Sequence, residues 1–284
     1  MKITPAIQSL IDQALAEDLG ERGDITALAI RPRPYKAKAT ITAKEAGWIA
    51  GGPVAAAVFH TVQPRLKVQQ LVCDGFQVQA GTPIMTIHGQ AQDILTAERT
   101  ALNFLGHLSG VATLTGKFVE TIAHTRAKML DTRKTLPGFR YLEKYAVRCG
   151  GGINHRQGLY DMFLIKENHI ETAGGIAAAV NACRVYQKEK GFQAEIEVET
   201  NSWKQVAEAL ELDVDRIMLD NMSIAQMARC VAKVAGRVPL EASGNITLRR
   251  VKKVAETGVD TISAGSLTHS APNLDLSLLL QICE

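Results

Sequence analysis

Residues 216–266 read RIMLDNMSIAQMARCVAKVAGRVPLEASGNITLRRVKKVAETGVDTISAGS. Three short apolar runs, RIML (216–219), VPLEA (238–242) and TISA (261–264), recur about every 22 residues. The helical stretches SIAQMARCVAKVAG (223–236) and TLRRVKKVAETG (247–258) separate them. Strand and helix alternating in this way predict a parallel sheet with right-handed crossovers. The tight repeat favours a barrel over a decorated open sheet. Upstream, AKML (127–130), MFLI (162–165) and EIEV (195–198) extend the series. That makes six strands, too few to close an eight-stranded barrel.

The run endings carry the functional signal. They read MLDTRK, LIKENH, EVET, MLDN, EASGN and SAGS, each finishing in polar or small residues. In a β/α barrel the chemistry gathers at the C-terminal ends of several strands, whereas a doubly wound sheet confines ligands to one switch point. Six polar strand ends therefore favour the barrel.

Working outward, the first hundred residues follow another pattern. PAIQSLIDQALAEDLG (5–20) has helical spacing, with Pro5 in its first turn and Gly20 just past its end. KAKATITA (36–43), LKVQQLV (66–72) and PIMTIHG (83–89) read as strands, and AQDILTAERTALNFLGHL (91–108) as a helix. Mixed elements without strict alternation suggest a small α+β domain. We place the domains at 1–112 and 113–269, with a tail at 270–284 packing back on the first.

The 284 residues carry a net charge of only +3, which argues against a dedicated nucleic-acid binder. The charge is uneven. From Asp131 to Lys166 seven basic residues face three acidic ones, a local +4, so the remainder nets −1. Five widely spaced cysteines with no C-x-x-C argue for reduced thiols, not a disulfide framework or a zinc site. No apolar run reaches the ~18–20 residues of a membrane span, and the N-terminus lacks a signal-peptide core. We expect a cytoplasmic protein that engages neither membrane nor nucleic acid.

Together the strand ends would present Arg133, Lys134 and Lys166, the carboxylates Glu197, Glu199 and Asp220, and the small-residue loops Ser243-Gly244-Asn245 and Gly265-Ser266. The long connection after the first strand adds His155 and Arg156. Gly-rich loops at the last strands of a barrel are a recurrent phosphate site, because backbone N–H groups can approach the oxygens. Paired carboxylates suit Mg²⁺, and arginine suits planar carboxylates. The set fits a phosphorylated, metal-bound substrate beside one that bears carboxylates. Arg140, Lys144 and Arg148, four residues apart, read as a solvated helix face. His60, His88, His107 and His124 read as structural or surface groups.

DTRKTLPGFRYLEKYAVRCGGGINHRQGLYD (131–161) and FLIKENHI (163–170) closely resemble the quinolinate phosphoribosyltransferase family. So do ALAEDLGERGDIT (14–26), AERTALNFLGHLSGVAT (97–113), EIEVET, IMLDN (217–221), EASGNI (241–246) and SAGSLTHS (263–270), in family order across nearly the whole chain. The resemblance implies an N-terminal α/β sandwich followed by an open, incomplete TIM-like β/α barrel. It implies transfer of phosphoribosyl from phosphoribosyl pyrophosphate to quinolinate with Mg²⁺, giving nicotinate mononucleotide, pyrophosphate and CO₂ in NAD synthesis. An alternative is a paralogue of the family associated with molybdenum transport, with another substrate. Arg133, Lys134, His155, Arg156 and Lys166 resemble the dicarboxylate-binding set, with Lys134 and Lys166 also near the phosphoribosyl group. Arg99 resembles an arginine that enters a neighbouring subunit's site, which implies a homodimer. Ser243, Gly244, Asn245, Gly265 and His269 resemble the phosphate-binding loops. Glu197 and Asp220 resemble the metal- and ribose-binding acids. Strand alternation puts 195, 197 and 199 on one face, and we assign Glu197 as the motif's middle position, with Glu199 the alternative.

Overall fold

The computed structural model describes residues 1–30 and 35–283. In chain order its elements are α1 (Pro5–Leu19), α2 (Ile25–Ile30), β1 (Lys36–Ala43), β2 (Gly47–Trp48), α3 (Gly52–Val62), β3 (Lys67–Gln70), β4 (Gln77–Val78), β5 (Pro83–Gln90) and α4 (Ala91–Ile122). Then follow β6 (Lys128–Leu130), α5 (Arg140–Cys149), β7 (Phe163–Ile165), α6 (Glu167–Ala173), α7 (Ile176–Lys190), β8 (Ile196–Thr200) and α8 (Trp203–Glu211). The chain closes with β9 (Arg216–Asp220), α9 (Ile224–Val234), β10 (Leu240–Ser243), α10 (Leu248–Ala255), β11 (Thr261–Ser263), α11 (Ser266–His269) and β12 (Leu276–Ile282). Two compact units form. One comprises residues 1–114, 141–151 and 271–284, the other 115–140 and 152–270. Among the described residues no helix is long and apolar enough to cross a membrane.

The first unit is built on an antiparallel sheet in the order β12-β1-β5-β3. β1 alternates buried and open positions, so Ala37, Ala39, Ile41 and Ala43 all face the core. It pairs with β12 from Ala37↔Ile282 to Ala43↔Leu276, which draws the tail into the sheet. Glu284, the tail's last residue, lies outside the described residues. α1 begins at Thr4, whose Oγ1 accepts the Ile7 amide at 3.4 Å, and buries Ile7, Ile11 and Leu15 at four-residue spacing.

Two sequence expectations change in this unit. The helix expected over 91–108 runs on to Ile122. Gly106 and Gly110 do not end it; they let other backbone approach. The Leu274 amide donates to the Gly106 carbonyl at 2.9 Å, and a Cβ on Gly110 would collide with the Pro272 carbonyl. The solvated face expected on α5 is also incorrect for Lys144, which is 2% exposed, as is Glu143 at 0%. Residues 141–151 belong to the first unit, where Glu143 meets His107 Nε2 at 2.9 Å and the Tyr145 hydroxyl donates to Asp74 at 2.7 Å. Tertiary contacts override the charge pattern there.

The second unit holds six parallel strands in the order β6-β11-β10-β9-β8-β7. They match the six apolar runs. β6 closes onto β11, in register from Thr261↔Lys128 to Ser263↔Leu130. β6 and β7 end the order, so the barrel stays open between them, with a Leu130↔Ile153 bridge beside β6. Helices follow the strands; α9 starts in a capping box between Ser223 and Gln226. All strands run the same way, so their C-terminal ends gather on one side.

Candidate active site

Those C-terminal ends enclose a cleft of about 900 Å³. Arg133 and Lys134 follow β6, Lys166 follows β7, Glu199 and Asp220 end β8 and β9, and Ser243, Gly244 and Asn245 follow from β10. Gly265, Ser266 and His269 come from the end of β11 and from α11. His155 and Arg156 reach the same cleft from the loop after α5. The structure therefore brings together every second-unit candidate except Glu197. Arg99 stands exposed on α4 of the first unit.

The basic wall is held from beneath. Asp131, fully buried at the end of β6, accepts the Asn154 side-chain amide at 2.5 Å and the His155 backbone amide at 2.9 Å. This ties the NHR loop to the strand. Arg156 donates to the Met162 carbonyl at 3.2 Å. Burial lowers its pKa, and the neighbouring Arg133 lowers it further. Arg133 Nε is buried with no hydrogen-bond partner among the described residues. Two half-buried guanidiniums side by side, one with an unspent donor, call for an anion.

The rest of the cleft lining carries acids and phosphate-type loops. Lys166 Nζ lies 2.5 Å from Glu199. Asn221 Nδ2 donates to Asp220 at 2.8 Å, and Asn245 Nδ2 donates to Asn221 Oδ1 at 3.0 Å. Both asparagines are left-handed, at φ 53° and 52°. Gly244, at φ 88°, passes so close to Asn221 that a Cβ there would collide with its amide. Among the described residues no protein acceptor takes the amide N–H of Gly244, Asn245 or Ile246. Ser266 Oγ, in the adjoining loop, is likewise buried without a partner. Gly265 lets the Lys134 stem lie against it, since a Cβ would fall 2.7 Å from Lys134 Cδ.

Glu197, the acid assigned from the motif, sits below this cleft and not in its wall. It is fully buried, with Oε2 3.1 Å from His155 Nε2. Glu241, also fully buried, lies 3.5 Å from the same nitrogen and 3.3 Å from Arg216 Nη1. Both Glu197 and Glu199 point inward from β8, but two residues of strand separate them in depth by about 7 Å. Glu199, nearer the C-terminal end, is the one the cleft reaches. Glu197 and Glu241 are both raised to about 7, chiefly by burial and, at Glu241, also by the charge of Glu197. Sequence reading missed Glu241. Its signal was a lone acid inside VPLEA, on a parallel strand buried on both faces, where a carboxylate needs partners.

His155, Glu197 and Glu241 bring three ligand-type atoms within 4.8 Å of one another. A metal does not suit them. His155 Nδ1 accepts the Arg156 amide at 2.7 Å, so Nε2 carries the ring proton and has no lone pair to offer. The cluster is instead a neutralised acid pair, with Arg216 and the imidazole N–H facing it.

The family model for the quinolinate phosphoribosyl transferase N-terminal domain matches residues 24–109, and that for the C-terminal domain matches 111–279. A chloroplastic nicotinate-nucleotide pyrophosphorylase [carboxylating] of Oryza sativa subsp. japonica is 43% identical over 96% of this chain and 77% of its own. A probable nicotinate-nucleotide pyrophosphorylase [carboxylating] of Synechocystis is 43% identical over 96% of this chain and 92% of its own. The solved nicotinate-nucleotide pyrophosphorylase of Francisella tularensis superposes with a TM-score of 0.93 at 41% identity, covering 97% of this chain and 96% of that one. Domain order and barrel thus agree, and the chain belongs to the quinolinate phosphoribosyltransferase family.

Proposed function

We propose that the protein joins quinolinate to phosphoribosyl pyrophosphate, releasing pyrophosphate and CO₂ and leaving nicotinate mononucleotide. The observation that carries this reading is the pairing of Arg133 and Arg156 in a cleft that also holds the carboxylates of Glu199, Asp220 and Glu241 and backbone amides without a protein acceptor among the described residues. A dicarboxylate suits the arginine pair, and a phosphate ester suits the amide loops. In a partly desolvated cleft several negative groups repel strongly, which accounts for the local excess of cations.

Arg133 and Arg156 bind and orient the two quinolinate carboxylates. Lys134 and Lys166 reach toward the donor, where they stabilise charge that gathers on the departing pyrophosphate. Glu199 and Asp220 face the sugar, and their charge favours the oxocarbenium character that develops at its anomeric carbon. Their oxygen donor set also fits Mg²⁺, which when bound would offset charge on the phosphates. Once the pyridine nitrogen is alkylated, its positive charge stabilises the carbanion left at C2 as CO₂ departs, and a proton from solvent then completes the C2–H bond. No protein nucleophile is required. His155, turned toward Glu197 and Glu241, holds the loop from which Arg156 projects.

The decisive experiment follows CO₂ release from carboxyl-labelled quinolinate. Release should require phosphoribosyl pyrophosphate; absence of turnover with both substrates and Mg²⁺ would overturn the reading. We further propose a homodimer in which Arg99 serves the neighbouring subunit's cleft. Its exposure on α4 supports this role. Hybrids of an Arg99→Ala chain with a Lys134→Ala chain should regain up to about half the activity per site pair. Verified hybrids without any recovery would argue against a shared site. The free thiols at Cys73, Cys149, Cys183, Cys230 and Cys283 support a reducing, cytoplasmic-type compartment.

A further inference from the structure

Arg250 does not line the cleft, yet it holds the part of the wall that carries the phosphate amides. It stands near the start of α10, and its guanidinium spans two strand-end loops. Nη1 donates to the carbonyls of Gly244 at 3.1 Å and Asn245 at 3.3 Å, and Nη2 donates to the Met222 carbonyl at 2.8 Å. Gly244 and Asn245 follow β10, and Met222 follows β9.

Two of the residues it grips, Gly244 and Asn245, have unusual backbone, as does Asn221 beside the third. Asn221, Gly244 and Asn245 all have positive φ, a conformation that asparagine tolerates and most residues avoid. Two devices hold them there: the Asn245–Asn221 side-chain bond and the Arg250 fork. A peptide plane has its carbonyl and its amide N–H on opposite sides. Fixing the Gly244 and Asn245 carbonyls on the α10 side therefore turns the Asn245 and Ile246 amides the other way, toward the cleft. Those amides are the ones that no protein acceptor takes among the described residues. The Met222 contact adds the loop that carries Asp220 and Asn221 to the same anchor.

We propose that Arg250 is the positioning residue of the phosphate cradle, setting the amides of residues 245 and 246 for the phosphate monoester of the phosphoribosyl donor. The proposal rests on the function given above and adds to it a residue outside the cleft. A planar fork is needed. Lysine, with one nitrogen at the end of a flexible stem, cannot hold three carbonyls on two loops at fixed angles.

The test compares wild type, Arg250→Ala and Arg250→Lys. KM for phosphoribosyl pyrophosphate should rise about 10-fold in both variants, while KM for quinolinate stays within about twofold. Binding of ribose 5-phosphate, followed by calorimetry without turnover, should weaken in parallel. Equal KM for the donor in wild type and variants would overturn the proposal. So would a matched loss for both substrates, which would mark a merely structural role. If Arg250→Ala does not fold, Arg250→Lys decides by the same two readouts. If wild type binds ribose 5-phosphate in an Arg250-dependent way but releases no CO₂ from quinolinate, the functional reading fails and the cradle stands.

Discussion

Arg156→Ala should raise KM for quinolinate by about 100-fold or more, with KM for phosphoribosyl pyrophosphate changed by no more than a few-fold. Arg156 is half-buried next to Arg133, and Asp161 and Glu197 partly offset the charge repulsion at Arg156. Such an arrangement costs stability in the free protein and is repaid when a dicarboxylate enters. Truncating one partner of a desolvated, hydrogen-bonded charge pair costs about 2–5 kcal/mol, which is roughly 30- to several thousand-fold in affinity. Arg133→Ala should act alike, because its buried Nε has no hydrogen-bond partner among the described residues. Arg156→Lys keeps the charge but loses the planar fork and should fall between. The melting temperature of Arg156→Ala should not fall, since the substitution relieves the Arg133 contact. Steady-state kinetics with each substrate varied in turn are the measure. Equal effects on both substrates would count against a quinolinate-specific grip.

The second large effect lies at the floor of the cleft, where Glu241 is part of its lining. Glu241→Ala should destabilise the protein by about 3–5 kcal/mol, because it takes a buried partner from Arg216 Nη1 and His155 and leaves a cavity in its place. The same cluster should make stability depend on pH with a definite sign. Burial raises the Glu197 and Glu241 carboxyls from 4.5 to about 7. Between those values the folded protein binds protons that the unfolded chain has released, so stability falls as pH rises. The contribution is fully present below about 4.5 and is lost as pH climbs through about 7. Urea midpoints measured from pH 5 to pH 8 should therefore decline in wild type. They should decline less in a Glu197→Gln/Glu241→Gln double variant; an unchanged slope would exclude the pair as its source. Glu199→Gln should do the opposite, leaving urea midpoints nearly unchanged while lowering kcat, since Glu199 lies at the cleft.

Much of the architecture was legible because local and global preferences agree. Runs such as RIML and TISA are short, apolar and spaced by amphipathic helices, and each became a strand of the parallel sheet. KAKATITA alternates along its whole length, and β1 occupies the same eight residues. Depth was not legible. Period-two alternation gives Glu197 and Glu199 the same direction and sequence order puts Glu199 nearer the C-terminal end, but the depth to which the cleft reaches depends on the stagger of β8 against its neighbours, with Glu197 opposite Arg216 and Glu199 opposite Met218. Lys144 failed for a related reason. A four-residue spacing of cations describes one face of a helix, but what that face meets depends on residues distant in sequence. Gly106 and Gly110 could be read as a break or as a close approach, and the sequence has no term for the chain that approaches. The cleft residues were easier, since small and polar endings on successive strands have few uses other than a ligand.

The pairing of β12 with β1 bears on how the chain acquires its shape during synthesis. Ala37 meets Ile282, so the edge of the first sheet is completed by a strand made only after the entire barrel segment has been synthesised. Such a contact has very high order, and the loop it closes contains a whole second unit. The barrel, although later in sequence, has all its strands available first. A domain-by-domain order from the N-terminus is therefore closed to this protein. For as long as β12 is missing, β1 exposes an unpaired edge lined with Ala39 and Ile41, and the nascent chain has to be kept from joining that edge to another copy.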